Sequence, residues 1–285
     1  MKPKDYRSKA AKRLFWRGVV ATGANAAMAV GLYPILPHLG LAVARRRAKR
    51  QQPKGHVKAA VAEWGVSLAM AAARPIGFLG LPVAIKKPRG PRPIILSHGY
   101  AMNRANFLPL ARRLVRAGYG PVYGFEYWTL GKIPSAATRL GEYIDEVCQA
   151  TGAEQVDLVG HSMGGLVSRY YAVCQAPGRV RNLVTLGSPH RGTVVSAVGF
   201  GRLAVELAPG SPVLERLDAH GIPEGLRVLA IWSRSDALVP GPKTASLPGA
   251  HEVVYGDLGH LSLLASRRVA RDIIEHLRDD QTASP

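Results

Sequence analysis

Only two cysteines, Cys148 and Cys174, occur in 285 residues, too few for a disulfide framework or a four-ligand zinc site. Acidic residues are also scarce: 19 Asp and Glu stand against 38 Lys and Arg, a formal charge of +19. The 31 glycines and 21 prolines follow no period, which excludes collagen, and 47% hydrophobic residues exclude wholesale disorder. The length suits one large domain, or one domain with an appendage.

The shortage of acids is concentrated at one end. Residues 1–58 hold fourteen Lys and Arg and one acid, Asp5. Basic arms meet phosphate, in nucleic acid or in anionic lipid. Here the arm is divided by residues 18–44, which carry no Asp, Glu, Lys or Arg. As a helix this stretch would reach ~40 Å, enough to cross a bilayer. Nucleic-acid arms do not normally carry such an insert, so the expected partner is a membrane surface reached through residues 1–58, and no nucleic acid. Pro34 and Pro37 interrupt the run and suit a hairpin that returns to the same face. Export with a cleaved signal is the alternative. Ala42-Val43-Ala44 has the small-x-small form, and Lys12-Arg13-Leu14-Phe15 faintly resembles a twin-arginine signal. A helical hairpin packed on the rest of the protein is the third reading.

Residues 57–85 form a second apolar region, divided by Glu63 and Arg74. Val57, Val61, Trp64, Leu68 and Ala71 fall at helical spacing and make one apolar stripe. That stripe suits the membrane interface or packing on the rest of the protein equally. Residues 86–93 read as a linker. The organisation expected is a basic, apolar N-terminal region over 1–92, then a folded domain over 93–280.

From Pro93 onward strand and helix alternate. Strands are expected at 94–97, 122–128, 155–159, 180–186, 226–232 and 252–255. Helices are expected at 106–118, 134–150, 162–174 and 262–277. This alternation implies an α/β fold: a mostly parallel sheet with helices on both faces, its chemistry at the carboxyl ends of the strands.

One motif sits at such an end, Gly160-His161-Ser162-Met163-Gly164, followed by Gly165. A strand precedes it and a helix follows, the context in which G-x-S-x-G forms a strained turn presenting a nucleophile. A serine nucleophile needs a base, and the base needs an orienting acid. Asp236 and His260 both lie in loops after strands, in the chain order expected after Ser162. Asp257 competes with Asp236 but reads as a turn residue. His161 neighbours the nucleophile and is expected to point elsewhere. His98, His190 and His251 lack the right position. The oxyanion hole is assigned to the backbone N–H groups of Met163 and Tyr100, with Ala101 a near alternative to Tyr100.

Residues 93–278 resemble the small bacterial triacylglycerol lipases and esterases of the α/β-hydrolase superfamily. The resemblance rests on Ser97-His98-Gly99-Tyr100, residues 122–128, the segment from Val159 to Gly165, Thr185-Leu186-Gly187-Ser188-Pro189-His190-Arg191-Gly192-Thr193, residues 231–238 and residues 256–264. It implies the α/β-hydrolase fold and hydrolysis of a lipidic or hydrophobic acyl ester by Ser162, Asp236 and His260, with no cofactor and no metal. Residues 192–225 fall where the resembled lipases carry a lid. They read as a helix over 193–208 and a second short helix opened by Ser211 and Pro212. The smallest members lack a real lid, so the chain departs toward the lidded kind; a moving lid and a static cap are both open. An acyltransferase on the same triad is one alternative activity, and an inert membrane-bound interaction protein of the same fold is another. Every assigned catalytic residue lies beyond Lys86, so a chain begun there is expected to hydrolyse short esters unless its sheet needs residues 57–85 as cover. Oligomeric state is not legible.

Overall fold

The computed structural model describes residues 55–73, 92–193 and 205–282. The run 18–44, its basic flanks and most of the first expected cap helix lie outside the described residues.

Six strands form one sheet: β1 Ile94–Ser97, β2 Val122–Phe125, β3 Val156–His161, β4 Val180–Leu186, β5 Arg227–Ser233 and β6 His251–Tyr255. All neighbours pair in parallel, in the order β2-β1-β3-β4-β5-β6. β1, β3, β4 and β5 are apolar runs buried almost throughout, as a sheet covered on both faces requires. The helices are α1 Gly55–Ala73, α2 Leu108–Arg116, α3 Ile133–Thr151, α4 Met163–Tyr170, α5 Pro212–His220, the short α6 Pro242–Ala245 and α7 Ser262–Ala265, and α8 Arg267–Thr282.

Two apolar clusters fill the spaces on either side of the sheet. On one face Ile133, Leu140 and Ile144 of α3 and Leu166 and Val167 of α4 pack on Ile95, Leu158 and Leu183. On the other, Leu110 and Leu114 of α2, Leu263 and Leu264 of α7 and Ile273 of α8 pack on Leu96, Val159 and Val184. Burying each such side chain contributes about 1.5–3 kcal/mol, and these clusters hold the strand ends in register.

That register decides where loops meet. The chain runs from β1 outward to β2, then returns to place β3 on the other side of β1. Ser97 at the end of β1 stands beside Gly160 of β3. Loops that leave adjacent strands in opposite directions open a crevice between them. Residues 98–100 and Ser162 emerge at that crevice.

Several elements differ from the sequence reading for identifiable reasons. β2 ends at Phe125 instead of Trp128 because Glu126 turns away to accept the Arg104 N–H at 3.0 Å. The helix expected at 162–174 is α4 followed by a π-helical turn, Tyr171–Gln175. The closing helix is broken at Ser266, where the backbone is extended (φ −70°, ψ 132°). α1 is rotated away from its apolar stripe: Val61 is 68% exposed and Leu68 61%, while Ser67 and Met70 are buried. Of the cap, α5 starts at Pro212 as expected, with Val213, Leu214 and Leu217 buried. Ser211 holds the position before it, but its hydroxyl donates back to the Glu206 carbonyl.

Candidate active site

The turn between β3 and α4 holds Ser162 at φ 55°, ψ −125°. A non-glycine residue with positive φ is strained, at a cost of order 1–3 kcal/mol, and persists only where its surroundings enforce it. Two flanking glycines permit it. A Cβ on Gly160 would lie 2.5 Å from the Gly165 backbone, and one on Gly164 would overlap the Ser97 and His98 carbonyl oxygens. The Ser162 N–H donates to the Leu186 carbonyl of β4 at 2.8 Å, which ties the turn to the sheet. Ser162 is partly exposed in a neighbourhood that is otherwise buried. Met163 follows as the first residue of α4, so its N–H has no partner within the helix and points with the positive end of the helix dipole.

Asp236 and His260 come together. His260 Nδ1 lies 2.7 Å from Asp236 Oδ2, and both side chains are buried. The other oxygen, Oδ1, accepts the N–H groups of Leu238 and Val239 at 2.8 and 2.9 Å. The loop after β5 thus clamps the carboxylate before it meets the imidazole. Burial alone would lower the His260 pKa, but the facing Asp236 carboxylate, joined by Glu63, outweighs it and leaves the pKa raised. Gly187, at the end of β4, brings the pair close to the sheet: a Cβ there would lie 3.1 Å from Asp236 Oδ2 and 3.3 Å from His260 Nδ1.

The loop after β1 closes over the serine. A Cβ on Gly99 would lie 3.0 Å from Ser162 Cβ. Tyr127, fully buried, donates its hydroxyl to the His98 carbonyl at 2.6 Å and stacks on the His98 ring. Burial raises the Tyr127 pKa well above its ordinary value, so the hydroxyl remains a donor. His98 Nε2 faces Glu126 Oε1 at 2.9 Å, both buried. The Ala101 N–H is directed to Thr129 Oγ1 at 3.3 Å.

The competing residues separate by environment. Asp257 is exposed and paired with Arg268 at 2.6 Å, away from His260. His190 is buried against Thr185 Oγ1 at 3.0 Å. His251 is exposed at the start of β6. His161 departs from expectation. Its ring packs against that of His260, centroids 4.6 Å apart, and its Nε2 lies 3.0 Å from the His260 carbonyl. A carbonyl only accepts, so Nε2 carries the proton. Burial, with the positive charge His260 can carry, pushes the His161 pKa well down. This histidine is a neutral brace beneath His260.

Sequence reasoning also missed Glu63. From α1 its Oε1 accepts the Leu261 N–H at 2.6 Å, while Oε2 accepts the Ser262 N–H at 3.0 Å and the Ser262 hydroxyl at 2.7 Å. One signal was available: Glu63 is the only acid between Asp5 and Glu126.

A family model described as the alpha/beta hydrolase fold matches residues 92–212. A triacylglycerol lipase of Pseudarthrobacter phenanthrenivorans is 53% identical over 55 residues, 19% of this chain and 17% of that one. A triacylglycerol lipase of Vibrio cholerae is 28% identical over 142 residues, 48% of this chain and 43% of its own. The chain spans less than half the length of these curated relatives. Among solved structures, the mature lipase BlEst2 of Bacillus licheniformis superposes with a TM-score of 0.58 at 19% identity, covering 70% of this chain and 96% of that one. The phospholipase PlaB of Legionella pneumophila gives a TM-score of 0.58 at 13% identity, covering 68% and 61%. At these identities the likeness is one of fold. α1, which carries Glu63, precedes the matched segment.

Proposed function

We propose, from the match of residues 92–212 to the alpha/beta hydrolase fold model, that this protein is a serine hydrolase of hydrophobic carboxylic esters. The observation that carries the reading is the buried Asp236–His260 pair at 2.7 Å, with the His260 ring packed on His161, the residue directly before a serine held in a strained turn. The named lipase relatives support the same substrate class.

In this mechanism Ser162 Oγ attacks the acyl carbonyl and its proton passes to His260 Nε2. Asp236 Oδ2 holds the Nδ1–H tautomer and steadies the imidazolium. The N–H groups of Met163 and Tyr100 receive the oxyanion. His260 then protonates the leaving alcohol, and an acyl-Ser162 ester remains. Water attacks that ester with His260 as base, and the carboxylic acid leaves. No cofactor enters these steps. The test is turnover of p-nitrophenyl esters with acyl chains of two to sixteen carbons. A preference for the longer chains fits a lipidic substrate; no turnover at any length removes the reading.

We further propose that the protein works at an anionic lipid surface. Two features of the N-terminal region support it: the fourteen Lys and Arg among residues 1–58, and the outward Val61 and Leu68 of α1. Each Lys or Arg near such a surface contributes ~1 kcal/mol, and burial of apolar side chains adds a part that resists salt. Among the described residues no helix is long and apolar enough to cross a membrane.

A further inference from the structure

The inner face of α1 carries polar side chains among its apolar ones, where a packed helix is expected to be apolar. Glu63, Val66, Ser67 and Met70 face the domain, and Val66 and Met70 join the apolar cluster there. Glu63 makes no contact of that kind. Its carboxylate takes three hydrogen bonds from Leu261 and Ser262, the two residues directly after His260. Leu261 stands at the start of α7, a helix whose first turn has no side-chain cap of its own. Glu63 supplies that cap from nearly two hundred residues away. Gly259, directly before His260, makes room for it: a Cβ there would lie 2.6 Å from Glu63 Cδ.

We propose that Glu63 is a positioning residue for His260, fixing the histidine loop and lending a negative charge to the imidazolium that forms in each half-reaction. This rests on the hydrolase reading above. His260 is then held at three points: its ring by Asp236, its carbonyl by His161 and the amides after it by Glu63. All three groups bonded to Glu63 are donors, the environment of an ionised carboxylate. Burial raises its pKa, while those donors and the charge on His260 oppose the rise. The charged and titratable groups around His260 are Asp236, Glu63 and His161, and His161 is neutral, so the two carboxylates are the charges that raise its proton affinity against the opposing effect of burial. The inference gives α1 a part in catalysis although it precedes the matched segment. On this inference a chain begun at Lys86, which lacks Glu63, would hydrolyse short esters more slowly than the whole chain.

The test is Glu63→Gln in the full-length protein, assayed on a soluble p-nitrophenyl ester across pH. Glutamine keeps the shape, but its NH2 cannot accept, so one of the donors loses its partner. The expected kcat is roughly tenfold lower with KM little changed. With one anion gone the His260 pKa falls, so the acid limb of kcat/KM moves to lower pH. An unchanged kcat overturns the proposal. So does a lowered kcat with an unmoved acid limb, which would mark a purely structural brace. Should Glu63→Gln fail to fold, Ser262→Ala removes the 2.7 Å bond alone. A roughly two- to threefold drop in kcat at unchanged KM then supports the proposal, and wild-type kcat overturns it. A wild type that turns over no ester sinks the hydrolase reading instead, so the two failures are distinguishable.

Discussion

Replacing Asp236 by asparagine perturbs one atom of the site, and the structure fixes what that atom does. Oδ1 accepts two backbone N–H groups, from Leu238 and Val239. In Asp236→Asn the amide oxygen must take that place, since an NH2 there would face two donors. The NH2 is then driven toward His260 Nδ1 at about the present 2.7 Å. Nδ1 must accept, so the ring proton moves to Nε2, the nitrogen needed to take the Ser162 proton. The base is disabled with its position kept. Such a tautomer switch lowers kcat by ~10⁴ in serine-triad enzymes, about 5.4 kcal/mol of transition-state stabilisation. The assay is kcat/KM on a p-nitrophenyl ester, with thermal unfolding as the check on folding. Asp257→Asn is the paired control: an exposed residue bonded to Arg268 should change kcat/KM by less than about twofold. A folded Asp236→Asn protein keeping more than about a tenth of wild-type activity, or an Asp257→Asn protein losing most of it, would refute the assignment.

Two other outcomes follow. Gly164→Ala forces a Cβ against the Ser97 and His98 carbonyl oxygens, pressing on β1 and the oxyanion loop together; a loss of ~1–3 kcal/mol in denaturant unfolding should accompany reduced kcat. Full-length protein should float with phosphatidylglycerol vesicles even in high salt, and protein that stays free of vesicles at any salt would remove the membrane proposal.

The sheet was legible because its strands are short apolar runs between turn signals, and β4 falls on residues 180–186 as read. Where strand ends depend on a distant partner, the reading slipped: β2 stops at Phe125 because Glu126 is drawn to Arg104 and His98. Gly160, Ser162 and Gly164 were legible because a strained turn needs those residue types in that spacing. Asp236 and His260 were legible from position alone, as residues in loops after strands. His161 and Glu63 were not, since each acts on the backbone around His260 instead of showing a motif. In α1 the apolar stripe faces outward and a carboxylate faces in, so of the two orientations that helical periodicity left open the stripe does not take the one against the domain. Tertiary hydrogen bonding across 198 residues, together with Val66 and Met70 in the apolar cluster, accounts for that choice.

The central claim is that Ser162 is a nucleophile activated by His260. The most direct measurement is mass spectrometry of full-length protein treated with a fluorophosphonate. The account predicts one covalent adduct, on Ser162, that is absent from Ser162→Ala protein. Labelling should fall as pH drops through the raised pKa of His260, above the ordinary histidine value of about 6.5. An unmodified folded protein, or an adduct on another serine, would contradict it.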